Sequence, residues 1–435
     1  GRKEELALLN KINTQISNSG KMTVITGRRR VGKTSLAIEA NKANKSIYLF
    51  VSKKSEILLC EEYMKAIKDK FKIPIYGEIT KFIDVFRILL DLSTKENFVL
   101  IIDEFQEFLR INPSIYSDIQ NYWDQFRNKI FLHVIFIGSV HSLMVKIFQN
   151  EKEPLFGRAD RILYLKPLEI RTIKKILLDS NKYSNKNLFY NYLITGGVPR
   201  YLEIFKENEI FNIDEMIDFI FDKNSLLLNE GKNLLIEEFG KEYATYFSIL
   251  ELVSAGRTSR SEIESILEIN SGGYLDRLEN EYDIISKRRP FNAKQTGKIQ
   301  KYYIKDNFLT FWFRFIHKNK SSIEAGNFVF IKADVKKNLS TYSGSFLEKF
   351  FCQVLEYTQE YNVIGNYWER GNKNEIDIVA INDTDKRILF GEVKLNQDKI
   401  RINKLKNKTE KLKKEYPDYN YIYRGFSMDS INSIL

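Results

Sequence analysis

The sequence predicts an α/β protein: a parallel sheet with a helical lid, followed by a winged helix and a small second α/β domain. Three observations carry this. Over about the first 150 residues, short runs dense in Val, Ile and Phe alternate with amphipathic segments, the pattern of a parallel sheet covered on both faces. From 167 to about 239 the pattern is helical throughout, and three short helical segments and two β-prone runs come next, the order of a winged helix-turn-helix. The last stretch, from 343, returns to strands alternating with helices.

The elements follow in order. Residues 22–26 form a strand that feeds a Gly-rich loop, and 35–44 the helix after it. Further buried strands are expected at 46–51, 98–102 and 133–137. The helical lid is broken at Gly196-Gly197 and Pro199. Helices at 243–255, 260–267 and 271–280 precede a hairpin of 284–289 and 301–304. The aromatic run 308–315 packs as core or as a domain joint. The final domain has a helix, strands at 376–381 and 388–393, a Lys-rich helix and a last strand at 419–423. The expected segments are 1–166, 167–239, 240–342 and 343–435.

The 435 residues are 43% hydrophobic and 29% charged with 7 prolines, enough for two or three folded domains and unlike a disordered tail. The net charge of +11 favours a polyanionic partner, nucleic acid before an acidic membrane surface; a Lys- and Asn-rich surface without a partner is the plainer reading. Cys60 and Cys352 offer neither a disulfide framework nor metal-ligand spacing, and His133, His141 and His317 do not cluster as a zinc site would require. No apolar run approaches the roughly 20 residues that span a bilayer, and no signal peptide is apparent, so the sequence predicts a cytoplasmic protein with no membrane partner.

Gly27-Arg28-Arg29-Arg30-Val31-Gly32-Lys33-Thr34 matches G-x-x-x-x-G-K-[ST] at every fixed position, and Ser35 continues it into the helix. Glycines let the backbone curl until its N–H groups face phosphates, and the helix start adds the positive end of its dipole. Lys33 is expected to neutralise the β- and γ-phosphates of ATP, and Thr34 to ligate Mg²⁺. The buried run 98–102 delivers Asp103 to the magnesium shell and Glu104 to the attacking water. Ser139, after the strand at 133–137, is placed either to touch the γ-phosphate or to form a plain strand-end turn.

A second constellation lies near the end. Asp377 sits in one strand and Glu392 and Lys394 at the end of the next, the PD-(D/E)xK nuclease arrangement, although Glu375-Ile376 replaces the usual proline step. Side chains at i and i+2 of a strand share a face, so Glu392 and Lys394 point together. Asp377 and Glu392 are expected to hold Mg²⁺ or Mn²⁺, and Lys394 to orient the water or stabilise transition-state charge. The run Lys399, Arg401, Lys404, Lys406, Lys408, Lys411, Lys413 and Lys414 reads either as a DNA-backbone track or as a solvated helix face. The hairpin carries Lys287, Arg288, Arg289, Lys294, Lys298 and Lys301, and the helix before it Tyr274 and Arg277; such a module binds DNA phosphates or serves as a packing element.

Several motifs together resemble the archaeal-type ATPase family of the AAA+/STAND group of P-loop NTPases: Gly1-Arg2-Lys3-Glu4-Glu5-Leu6, the loop 27–34, Asp103-Glu104-Phe105, Gly138-Ser139, Pro154-Leu155-Phe156-Gly157-Arg158, Gly196-Gly197-Val198-Pro199-Arg200-Tyr201 and Asp306-Asn307-Phe308-Leu309 with Phe311-Trp312-Phe313-Arg314-Phe315. The resemblance covers nearly the whole chain. It implies an AAA+-like sheet with its lid and a restriction-endonuclease-like C-terminal domain. It places Arg2 near the adenine, makes Ser139 a sensor-1-like residue, and offers Arg158 as an arginine finger, in cis or in trans from a neighbouring subunit. It sets Pro199 and Arg200 where the lid closes on the nucleotide, and adds Glu348 to the nuclease metal shell. The expected function is an ATP-hydrolysing protein that binds DNA and cleaves it, ATP state controlling the domain arrangement; the alternative is a nucleotide-dependent switch whose C-terminal domain docks a partner without cleaving.

Overall fold

Apolar runs with no polar alternation have to be covered on both faces, and the first part of the chain does this with parallel strands. The structure, a computed structural model, describes residues 1–435 apart from 75, 76, 240–242, 294–298, 370 and 372. It divides into two compact units, Gly1–Pro167 and Leu168–Leu435. In the first, β1 (Lys21–Thr26), β2 (Ser46–Phe50), β3 (Phe98–Asp103), β4 (Leu132–Ile137) and β5 (Arg161–Tyr164) form one sheet in the order β2-β3-β4-β1-β5, parallel throughout. Successive residues of each strand serve opposite faces. Leu100, Ile102, Val134 and Phe136 join a core with the helices Glu56–Phe71, Phe82–Ser93 and Ile115–Phe126, whereas Val99, Ile101, Ile135 and Ile137 pack with Leu9, Leu36, Ala37 and Ala40.

The edge strand β5 has no counterpart in the sequence reading. Its four residues are half-buried or exposed, and its apolar stretch, Ile162-Leu163-Tyr164, is too short to separate a strand from a loop by periodicity. One buried polar group crosses the sheet. His133 has Nε2 2.8 Å from Thr23 Oγ1 and Nδ1 2.6 Å from Asn13 Oδ1. Burial pushes its pKa down to about 3, so the ring is neutral and each nitrogen meets one oxygen partner.

In the second unit the breaks come where the sequence places them. Gly196, at φ 57°, ends the helix Asn185–Thr195, and Pro199 opens Pro199–Glu207. The helices Tyr243–Ser254, Arg260–Leu267 and Gly272–Asp276, the last continued by a π turn over Arg277–Glu281, lead to the antiparallel pair β6 (Ile285–Arg288) and β7 (Lys301–Ile304). The 31-residue helix Phe328–Thr358 then packs on a four-stranded sheet. That sheet contains β8 (Val363–Glu369), β9 (Lys373–Asn382), β10 (Arg387–Val393) and β11 (Asn420–Phe426) in the order β11-β10-β9-β8. β8, β9 and β10 run antiparallel, and β11 runs parallel to β10. Ile378, Ala380 and Leu389 share a core with Phe346, Leu347, Phe350 and Phe351 of the long helix, while Val379, Ile381 and Phe390 pack with Leu405 and Leu412. β8, interrupted by register shifts and half-buried along most of its length, has no counterpart in the sequence reading either.

Within the second unit, a single apolar core runs from Ile170 to Ile431. Among the described residues, no helix is long and apolar enough to cross a membrane.

Candidate functional site

Because the first sheet is parallel, its strands deliver their carboxyl ends to one edge, the edge where open α/β sheets bind ligands. The loop after β1 lies there. Gly27 has φ 141°, and a Cβ on it would stand 2.5 Å from Leu165 O, so a side chain is excluded by backbone. Arg30 (φ 71°) and Gly32 (φ 85°) turn the chain into the helix Lys33–Ala40. That helix begins two residues before the expected 35, because the left-handed Gly32 is already its cap. Gly32 brings no side chain to the first turn, which holds Lys33, Thr34 and the exposed Ser35 and whose N–H groups point out of the helix end. Lys33 is buried, and its Nζ donates to Gly27 O and Arg28 O, both at 2.9 Å. Val31 is buried beneath the loop. Arg2, expected near the adenine, straps the loop: it donates to Val31 O at 3.1 Å, to Lys166 O, and to Glu5 at 3.0 Å.

Asp103 closes β3 beside this loop. Its Oδ2 accepts from Thr34 Oγ1 at 2.6 Å and from Tyr48 Oη at 2.9 Å, and its Oδ1 accepts the Glu104 N–H at 2.9 Å. Burial, and then Asp103, push the Tyr48 hydroxyl well above the usual phenol range, so it stays a donor. Glu104 adopts a left-handed φ of 54°. Its Oε2 accepts from Ser139 Oγ at 2.8 Å and from Gln106 Nε2. Ser139 thus meets the glutamate. Tyr48 and Gln106 escaped the sequence reading; both sit outside the recognised motifs, although Gln106 lies only two residues beyond Glu104. The hydroxyl and carboxylate oxygens of Thr34 and Asp103 form the hard donor set that Mg²⁺ prefers.

Arg158 donates to Phe156 O at 2.9 Å and to Asp124 at 3.2 Å, an exposed pair. Pro199 and Arg200 belong to the second unit, where Arg200 donates to Glu203 at 2.7 Å.

In the C-terminal sheet, Asp377 Oδ2 accepts from Val393 N at 2.7 Å and from Lys394 Nζ at 3.2 Å. Lys394 Nζ stands 3.8 Å from Glu392 Oε1, while Glu392 Oε2 accepts the Arg401 N–H. The sequence reading brought these three residues together, and so does the fold. Among the described residues, no group of three or more His, Cys, Asp or Glu is placed to hold a metal ion. Asp377 and Glu392 each accept a backbone N–H on one oxygen, and burial, then Asp377 and Glu375, raise the Glu348 pKa to about 8.

The hairpin cations turn inward. Lys287 pairs with Glu279 at 2.9 Å, Arg288 lies over the Tyr303 ring at 4.4 Å, and Lys301 meets Glu375 at 3.5 Å and the Trp368 ring at 4.7 Å. Lys294 and Lys298 lie outside the described residues. Tyr274 packs on Tyr246, and Arg277 reaches the Tyr246 hydroxyl at 3.4 Å. Within the basic run, Lys408 donates to Glu375 O at 2.9 Å and Lys411 stands 3.6 Å from Glu369.

With the geometry established, its relatives can be named. The family described as "ATPase domain predominantly from Archaea" matches residues 1–205. The family described as "Archaea bacterial proteins of unknown function" matches 312–414. The uncharacterized protein MJECL04 of Methanocaldococcus jannaschii is 32% identical over 403 residues, covering 90% of this chain and 86% of that protein. Among solved structures, the Walker-type ATPase PABY2304 of Pyrococcus abyssi matches with a TM-score of 0.54 at 19% identity, over 72% of this chain and 95% of that one. The ORC2 protein of Aeropyrum pernix, in its ADPNP–ADP complexes, matches with a TM-score of 0.51 at 14% identity, over 74% and 94%.

Proposed function

The chain belongs to the same family as MJECL04, and its residues 1–205 match the archaeal ATPase domain; from that premise we propose that it binds and hydrolyses ATP with Mg²⁺ at the carboxyl edge of the first sheet. One observation carries the reading: Thr34, from the loop after β1, and Asp103, from the end of β3, meet at 2.6 Å beside the buried Lys33. The first-turn N–H groups and Lys33 bind phosphate oxygens. Thr34 and Asp103 hold Mg²⁺, which supplies charge neutralisation at the transferring phosphoryl group. Glu104 takes the proton of the attacking water, its carboxylate oriented by Ser139 and Gln106. Arg158 acts as an arginine finger, in cis or from a neighbouring subunit. Titration calorimetry with ATP tests the binding step: the wild type saturates and Lys33→Ala does not. Equal affinity in both refutes the site.

For the output we propose DNA. The +11 charge favours it, and the three helices with the β6–β7 hairpin supply a winged-helix arrangement. The convergence of Asp377, Glu392 and Lys394 supports a PD-(D/E)xK-type nuclease; Asp377 and Glu392, joined by Glu348, are the carboxylates that would hold Mg²⁺ or Mn²⁺ there. A second reading, a nucleotide-dependent switch with a non-cleaving docking domain, is favoured by the hairpin cations being engaged inside the unit. Plasmid and linear DNA incubated with Mg²⁺ or Mn²⁺ separate the two. Cleavage lost in Asp377→Asn supports the nuclease, and cleavage untouched by it refutes the assignment.

A further inference from the structure

The Asp103 carboxylate has a third side-chain or backbone donor that the P-loop motifs do not supply. Tyr48 lies on β2 opposite Ile101 of β3. Its neighbours Ile47 and Leu49 are buried at 4% and 1% exposure, whereas Tyr48 is 40% exposed. The ring therefore faces away from the core that Ile47 and Leu49 fill, and core packing does not explain a tyrosine there. What is specific is the hydroxyl, 2.9 Å from Asp103 Oδ2. The same oxygen takes Thr34 Oγ1 at 2.6 Å, and the other oxygen takes the Glu104 N–H at 2.9 Å.

These contacts divide the labour. A threonine hydroxyl that donates its proton to Asp103 keeps lone pairs for a cation. For that to be productive, the carboxylate has to be held in one rotation. The Glu104 N–H fixes one of its oxygens; Tyr48, from β2, fixes the other. Groups that hold a metal-binding side chain in place set the affinity of the metal without touching it.

We propose that Tyr48 is a positioning residue of the nucleotide site, its hydroxyl fixing Asp103 so that Thr34 and Asp103 bind the divalent cation that accompanies ATP. The proposal rests on the ATP reading above and adds a residue to it. It separates cation binding from nucleotide binding, since the phosphate contacts of Lys33 and of the loop backbone do not pass through Tyr48.

The test uses the full chain and the Tyr48→Phe variant, which keeps the ring and removes the hydroxyl. A fluorescent ATP analogue is titrated in EDTA, and Mn²⁺ is titrated by electron paramagnetic resonance at saturating nucleotide. The expected result is a loss of about 10- to 100-fold in Mn²⁺ affinity, with nucleotide affinity in EDTA changed by no more than about twofold. ATP turnover in the variant recovers as Mg²⁺ is raised. Unchanged Mn²⁺ affinity overturns the proposal, as does a loss of the same size in EDTA, which assigns the hydroxyl a general structural role. A wild type that binds no analogue under either condition overturns the ATP reading itself, and Lys33→Ala is the reference for that outcome.

Discussion

Gly27→Ala is the sharpest single-atom perturbation of the phosphate loop. Gly27 holds φ 141°, and the added Cβ would stand 2.5 Å from Leu165 O, 3.2 Å from Leu165 N and 3.3 Å from Leu165 C. The obstacle is backbone, fixed by the Leu165 N–H bond to Thr26 O at 2.8 Å, and Arg2 ties down the adjacent Lys166 O. The backbone strain costs about 1–3 kcal/mol, and loss of the Leu165–Thr26 hydrogen bond about 0.5–1.5 kcal/mol. The sum, roughly 1.5–4.5 kcal/mol, converts to a loss of about 10- to 2,000-fold in ATP affinity where binding has to restore the loop. Gly157→Ala is the control: it also has a positive φ, 71°, but its Cβ meets nothing within 4 Å. Equilibrium binding of a fluorescent ATP analogue to both variants gives the comparison. Gly27→Ala binding as tightly as Gly157→Ala refutes the claim that the Leu165 contact shapes the loop.

Other perturbations follow from the same geometry. His133 protonates near pH 3 in the folded chain and near 6.5 when unfolded, so the unfolded state gains protons first as pH falls through that window. Stability should drop by about 2–3 kcal/mol between pH 7 and 4.5, and His133→Gln should remove that part of the slope in urea melts. A wild-type slope equal to that of the variant contradicts the buried neutral ring. Asp377→Ala strips the Val393 N–H of its acceptor and should destabilise by about 1–3 kcal/mol, whereas Asp377→Asn should recover most of that while still abolishing DNA cleavage. Arg158→Ala removes an exposed pair with Asp124 and should change stability by less than about 1 kcal/mol. If Arg158 completes a neighbour's site, the same variant lowers ATP turnover by about 10³-fold or more, and mixing it with Lys33→Ala restores part of the rate.

What the sequence disclosed depended on how locally the information is written. The phosphate loop and the Asp103-Glu104 pair are contiguous, and each follows a run that is buried on both faces, so motif and context appear together. Tyr48 acquires its role only when β2 lies beside β3, a fact of strand order. β5 and β8 are edge strands whose residues are largely half-exposed and whose apolar stretches are short. The helices after Leu168 share their core with the long helix, a pairing between distant parts of the chain that no local pattern displays; Phe189 and Tyr192, for example, pack on Phe350. That Glu279, Tyr303, Glu375 and Trp368 stand beside the hairpin cations, and that Glu348 is buried, are likewise facts of tertiary packing.

The central claim is that the edge of the first sheet hydrolyses ATP through Glu104. Single-turnover hydrolysis of radiolabelled ATP by the wild type and Glu104→Gln, with binding measured in the same samples, tests it most directly. The account predicts that both bind ATP and that the variant loses about 10²- to 10⁴-fold in the hydrolysis rate. Equal rates in the two proteins, or a wild type that binds ATP and never cleaves it, would contradict the account.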